Sequence, residues 1–248
     1  MDAILLAGGY ATRLYPLTKD RPKALLPVAG KAILDHVVEE LEASDHIDRM
    51  FLVSNEKFSN DFAQWAREHD GPKPIEVFND GTTSNEDRLG AIGDIQFVIE
   101  HADVNTDNGV YALGTDNLAD FDITDIVDLA LEKDATAVFA SRIEDRQRLC
   151  RMGVAEVAED GRVVDFVEKP DDPPSDLAVP PFYAYSPEAV GLLPTYLEEG
   201  NDPDAPGHFI AWLVDRCPVY ACVTDEKVRD IGTTRAYEAV RREFGDIE

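Results

Sequence analysis

Positive charge is scarce in this chain of 248 residues. Eight Lys and 15 Arg stand against 30 Asp and 20 Glu, a formal net charge of -27 at pH 7. A general nucleic-acid binder or a protein held on an anionic membrane needs a basic surface, so both classes are excluded. A local basic pocket for one small phosphorylated ligand is not. Cysteine is also sparse. Cys150, Cys217 and Cys222 are scattered and odd in number, and neither they nor the five histidines show a metal-ligand spacing. They read as small buried hydrophobes. Long apolar runs are missing too: no stretch nears the ~20 residues of a membrane span. The apolar start at Ala3 to Ala7 is too short and too poorly flanked for a signal peptide. A cytoplasmic protein with no membrane partner is expected.

Hydrophobic residues still make up 44% of the chain, enough for a sizeable core in one globular domain. Extreme acidity with Arg preferred to Lys is what a cytoplasm rich in potassium salt favours, so a halophilic protein is expected. The Debye length falls from ~10 Å at 0.1 M salt to ~3 Å at 1 M, which confines carboxylate repulsion to nearest neighbours. The melting temperature is therefore expected to rise across a series from about 0.1 to about 3 M KCl. A flat or falling series would contradict the halophilic reading.

Short apolar runs alternate with helical spacing through the first half. Ala3 to Leu6, Met50 to Val53, Ile75 to Phe78, Val110 to Leu113 and Ala135 to Ala140 read as strands. Ile33 to Leu41, Phe58 to Arg67, Gly90 to Glu100 and Ile123 to Leu131 read as helices between them. That order implies parallel βαβ units with helices on both faces of the sheet. After about Ser141 the pattern changes. Val154 to Val157 and Val163 to Val167 alternate in period two around Asp160-Gly161, as a hairpin does. A strand is expected at Phe182 to Tyr185, helices near Glu188 to Leu197 and Phe209 to Val214, a late strand at Val219 to Val223 and a last helix at Thr234 to Phe244. Pro173-Pro174 and Pro180-Pro181 bound a segment that reads as irregular. The expected fold class is α/β: one Rossmann-like, three-layer α/β/α domain over residues 1–248, with a mostly parallel central sheet. Its halves are about 1–141 for a nucleotide and about 142–248, smaller and β-rich, for a second substrate.

The first strand runs into Leu6-Ala7-Gly8-Gly9-Tyr10-Ala11-Thr12-Arg13-Leu14. Paired glycines at the carboxyl end of a parallel strand let backbone N–H groups approach phosphate oxygens. Arg13 adds a guanidinium fork that matches phosphate geometry. Lys23 follows in Arg21-Pro22-Lys23-Ala24-Leu25-Leu26-Pro27-Val28, which lacks helical period and reads as a long ordered loop bringing a second cation to the glycine turn.

These segments resemble the sugar-1-phosphate nucleotidylyltransferases, or NDP-sugar pyrophosphorylases. That family's signature is a Gly-rich loop ending Thr-Arg-Leu, then Pro-Leu-Thr, then Pro-Lys-x-Leu-Leu-Pro-Val. The chain has Thr12-Arg13-Leu14, Pro16-Leu17-Thr18 and Pro22-Lys23-Ala24-Leu25-Leu26-Pro27-Val28, with Ala11 where glycine is usual. The resemblance implies that Ala7, Gly8, Gly9, Ala11, Thr12 and Arg13 hold the phosphates of an NTP, with Arg13 and Lys23 as the catalytic cations. It places base reading at Asn85, where the family has Gln, and at Gly90, which leaves the base open. Asp116 and Asp230 match the aspartates that hold Mg²⁺ in the family. Gly153, Glu168 and Lys169, the last two in Glu-Lys-Pro, match the sugar-phosphate side.

The implied reaction is attack by a sugar 1-phosphate oxygen on the α-phosphorus of an NTP, expelling pyrophosphate. UTP or dTTP with glucose 1-phosphate is the favoured pair. The attacking oxygen is already ionised near neutral pH, so the protein's work is positioning and charge neutralisation. A homo-oligomer is left open, and the end at Glu248 implies no second catalytic domain. Two other readings share the fold: CTP-dependent activation of phosphocholine or an inositol phosphate, and a silent nucleotide-sugar-binding regulator. A dinucleotide-dependent oxidoreductase is disfavoured, because Gly-Gly-x-Ala-Thr-Arg is not Gly-x-Gly-x-x-Gly leading straight into a helix.

Overall fold

Asp2–Ala7 form strand β1, and its unbroken apolar run follows from burial on both faces. Ala3 and Leu5 join the core on one side of the sheet and Ile4 joins the core on the other. The computed structural model describes residues 1–247. After β1 come β2 (Pro27–Val28), β3 (Lys31–Ala32), α1 (Ile33–Ala43), β4 (Met50–Ser54), α2 (Ser59–Glu68), β5 (Ile75–Asn79) and α3 (Ala91–His101). Then follow β6 (Val110–Gly114), β7 (Asn117–Ala119), α4 (Asp125–Lys133), β8 (Thr136–Arg142), α5 (Arg146–Leu149), β9 (Gly153–Val157) and β10 (Val163–Glu168). The remainder is β11 (Leu177–Val179), β12 (Phe182–Tyr185), α6 (Pro187–Glu198), α7 (Pro206–Leu213), β13 (Val219–Thr224), β14 (Val228–Asp230) and α8 (Thr234–Glu243).

The large sheet has the order β10-β9-β11-β8-β12-β6-β1-β4-β5, with β13 pairing β8 off that path. β1, β4, β5, β6, β8, β9 and β13 run one way, and β10, β11 and β12 run against them. One face carries α1, α2 and α4 through Leu34, Val38, Phe62 and Val127; the other carries α3, α6 and α7 through Ile95, Leu193 and Phe209. This is the three-layer α/β/α arrangement. Each of those side chains contributes about 1.5–3 kcal/mol by leaving water. Among the described residues no helix is long and apolar enough to cross a membrane.

Two departures bear on the site. The proline-bounded segment is not wholly irregular: Leu177–Val179 pair with both β8 and β9 and join the hairpin to the main sheet. The Arg13–Lys23 loop also contains two single 3₁₀ turns, Thr12–Leu14 and Lys23–Leu25, too short to leave a helical period in the sequence. A third core lies at this end of the molecule. Tyr237 and Val240 of α8 cover Leu14, Leu26 and Val28, and the Tyr237 hydroxyl donates to the Pro27 carbonyl at 2.8 Å. The last helix thus braces the loop that follows β1.

Candidate active site

Four donors fasten the glycine turn at the end of β1. Thr115 Oγ1 donates to the Leu6 carbonyl (3.1 Å), Asn55 Nδ2 to Gly8 (2.9 Å) and Thr18 Oγ1 to Ala11 (2.7 Å). The Tyr10 hydroxyl donates to the Thr82 carbonyl at 2.9 Å. Ala7 is half-buried and Gly8 buried, while Gly9, Thr12 and Arg13 are exposed. Ala11 adopts a left-handed conformation (φ 47°) ahead of the first 3₁₀ turn. An L side chain pays roughly 1–2 kcal/mol there, which is the physical reason glycine suits this position. The Thr18 hydrogen bond offsets part of that cost.

Lys23 and the two aspartates meet beside this turn. Asp116 follows β6 and Asp230 ends β14, whose antiparallel pairing with β7 puts Asp230 opposite Asn117. The Ile231 N–H donates to the Asp116 carbonyl at 3.1 Å, so the two aspartates lie one residue apart across a two-stranded ribbon. Lys23 Nζ pairs with Asp116 Oδ2, and Asn117 Nδ2 donates to Asp116 Oδ1 at 2.7 Å. Burial pulls the Lys23 ammonium down to about 8, with the Asp230 charge opposing and the Arg13 charge assisting. Arg13, Lys23, Asp116 and Asp230 therefore come together from segments far apart in sequence.

The hairpin supplies the other side. The hairpin that the period-two pattern predicts sets Glu168 opposite Gly153, with a shift of register between Val163 and Asp165. The Glu168 carboxylate is nearly buried and rests against Gly207 at the start of α7, where any Cβ would collide with Oε2. Lys169, 55% exposed, pairs with Glu168 at 3.4 Å. Asn85 and Gly90 line an open cavity of about 320 Å³ with Glu86, Arg88, Pro203 and Asp204. Gly90 has φ 80°, and an added Cβ would meet the Pro203 carbonyl at 2.6 Å, so only glycine fits where α3 begins. Arg88 holds Asp204 by two hydrogen bonds, of 2.7 and 3.0 Å. Those bonds, then the charges of Arg88, Lys169 and His208, keep the Asp204 carboxyl below its ordinary range.

Sequence reasoning missed Arg229, which shapes this site without facing it. Its guanidinium makes two hydrogen bonds to Asp120 and two to Glu243, at 2.5–2.9 Å, tying β14 to the end of β7 and to α8. Those bonds raise its already high pKa further. It sits one residue before Asp230.

The model of one family, nucleotidyl transferase, matches residues 2–246. The chain belongs to that family. Among curated relatives, a UTP–glucose-1-phosphate uridylyltransferase of Haloferax volcanii is 30% identical over 187 residues, 75% of this chain and 72% of the relative. A Sulfolobus acidocaldarius relative bearing the name of a mannose-1-phosphate guanyltransferase is 32% identical over 197 residues, 78% of this chain. The chain spans 50% of that relative's length and 36% of a bifunctional GlmU protein of Methanococcus maripaludis. In fold it resembles a UDP-glucose pyrophosphorylase complexed with UDP-glucose (TM-score 0.78, 20% identity, 99% of this chain and 98% of the other). It also resembles the CTP:phosphocholine cytidylyltransferase of Streptococcus pneumoniae (TM-score 0.75, 17% identity, 98% of each chain).

Proposed function

We propose that this chain transfers a nucleotidyl group from an NTP to a sugar 1-phosphate, with UTP or dTTP and glucose 1-phosphate the favoured pair. The observation that carries this is the meeting of Arg13, Lys23, Asp116 and Asp230 where β1 and β6 end, with Lys169 on the hairpin side. An exposed Arg13 and the loop N–H groups suit the NTP phosphates, and Lys23 suits the group that becomes charged as pyrophosphate leaves. Lys169 suits the sugar phosphate, and Glu168 suits sugar hydroxyls as an acceptor. The new bond joins the sugar phosphate oxygen to the α-phosphorus while the bond from the α-phosphorus to the bridging oxygen breaks. Asp116 and Asp230 fit Mg²⁺, a hard cation that takes one or two carboxylates and completes its shell with water and phosphate oxygens. Among the described residues no three acidic, His or Cys side chains group to hold an ion by themselves, so substrate oxygens would complete that shell. When bound, the ion neutralises phosphate charge.

The test is pyrophosphate release over a grid of NTPs and sugar 1-phosphates, with Mg²⁺ in molar KCl. Release from one NTP–sugar phosphate pair is expected, UTP or dTTP with glucose 1-phosphate first. The Haloferax volcanii relative, named for UTP and glucose 1-phosphate, supports that choice. CTP with phosphocholine is included because Asn85 replaces Gln and the Streptococcus pneumoniae enzyme shares the fold. Release from that pair alone would redirect the substrate assignment, and release from none would overturn the enzyme reading.

A further inference from the structure

Beneath the glycine turn lie two carboxyl groups that the reaction described above does not use. Asp94, on the first turn of α3, is 6% exposed, and its Oδ1 is buried with no hydrogen-bond partner. Asp80, on the loop after β5, stands beside Asp94 at the same glycine, close enough for its charge to act on Asp94. A Cβ placed on Gly8 would stand 2.5 Å from Asp94 Oδ2 and 3.4 Å from Asp80 Oδ2, so both carboxyls abut that glycine. A bare negative charge on buried Asp94, facing the carboxylate of half-buried Asp80, is costly on both counts, so Asp94 is the one neutralised. Asp80 Oδ1 accepts from the Thr82 N–H and from the Thr82 hydroxyl, both at 2.7 Å, which favours leaving the negative charge on Asp80.

We propose that Asp94 and Asp80 share one proton beneath Gly8, carried by Asp94, and that this protonated pair holds the glycine turn in its NTP-binding register. Both are positioning residues, and the inference rests on the nucleotide reading of that turn. Gly8 abuts Asp94 directly, and Tyr10 is tied to Asp80 through Thr82. A second charge would force the carboxyls apart and carry both ends of the turn with them. Burial first, and the Asp80 charge second, push the Asp94 carboxyl up to about 8. Asp80 is the charged group facing Asp94 from the neighbouring loop; the turn after β1 presents Gly8 and β4 presents Ser54, whose carbonyl accepts from the Asp80 N–H at 2.9 Å, and neither titrates. Tyr10 is the neighbouring titratable group on the turn, and the charges of Asp87, Asp80 and Glu86 act on Tyr10 in turn.

The decisive measurement is the ratio of KM for the NTP at about pH 9 to that at about pH 7, in the wild type and in Asp94→Asn. One unit above its pKa the competent fraction is about one tenth, so the pair contributes about a tenfold rise in KM. Lys23 also loses its proton in this range. The variant keeps that contribution, and its uncharged amide can still donate to Asp80. The wild-type ratio is therefore expected to exceed the variant's about tenfold, with equal ratios for the sugar phosphate KM. Asp80→Asn, which removes the other charge, should flatten the ratio likewise. Carbon-13 titration of the wild-type Asp94 carboxyl needs no variant. A carboxyl already ionised at pH 6, whether bare or neutralised by K⁺ or Na⁺, overturns the proposal, and so do equal NTP ratios in all three proteins. Binding of UTP, dTTP and CTP is followed in parallel. If none binds at any pH, the transfer reading and this one fall together; binding without pH dependence overturns this one alone.

Discussion

Lys23→Ala is expected to lower turnover about 10²- to 10³-fold and leave the fold intact. That is the loss typical of removing one preorganised group aimed at developing charge. Lys23 Nζ lies against Asp116 and within the fields of Asp230 and Arg13, so its charge is the positive centre of an otherwise acidic corner. The pair is mostly buried, at 19% and 24% exposed, but Asp116 keeps its hydrogen bond from Asn117, which holds the loss of stability to about 1–3 kcal/mol. The melting temperature should therefore fall by roughly 2–12 °C while activity collapses. Arginine is not expected to rescue it, because a planar fork cannot occupy the half-buried slot of a compact ammonium. Turnover within tenfold of wild type at saturating substrate would remove Lys23 from the catalytic role.

Arg229→Ala is expected to cost both stability and activity. Its side chain is 14% exposed and holds Asp120 and Glu243 together by four charge-assisted hydrogen bonds. Those carboxylates are 42% and 50% exposed and can turn to water, which keeps the loss to about 1–3 kcal/mol. In a chain of this size that is a fall of roughly 2–12 °C in melting temperature. Without the fork, β14 is joined to β7 by a three-residue ladder, and Asp230 loses its fixed place one residue from Asp116. Misplacement by an ångström can reduce a rate about a hundredfold, so a ten- to hundredfold fall in turnover is expected, steepest at limiting Mg²⁺. Lysine in its place should recover little, since one ammonium cannot bridge two carboxylates side-on. A variant with lowered melting temperature and wild-type turnover would show that the fork braces the fold and not the aspartate.

The buried strands and amphipathic helices were legible because burial on both faces writes a continuous apolar run and burial on one face writes a 3.6 period. β1, β6 and α3 therefore lie where their sequences put them, and the hairpin lies where a period of two put it. The three-residue strands left no such trace. Leu177–Val179 looked irregular between prolines, and Val228–Asp230 sits in a charged run that reads as solvated surface. Their pairing is set by partners 24 to more than 100 residues away, which no local pattern encodes. Lys23 and Asp116 were each recognisable by motif, but their ion pair across 93 residues was not. Asp94 shows the limit most plainly. On a helix in a chain of 30 aspartates it looks like one more hydrated charge, until the approach of Gly8 removes the water.

The bracing of the Arg13–Lys23 loop by α8 also sets when that loop can be completed during synthesis of the chain. Tyr237 reaches Pro27 across 210 residues, and Asp246 Oδ2 accepts from the Ala29 N–H at 2.7 Å across 217. A ribosome adds about 5–20 residues per second, so those contacts lag the glycine turn by roughly 10–40 s. In that interval β1, β4, β5 and β6 can already pair, because every partner they need among themselves has been made. The nascent chain would carry a formed parallel sheet and an unsupported signature loop, with Asp230 still to arrive. A braced loop is thus withheld from shorter nascent chains by the order of translation alone.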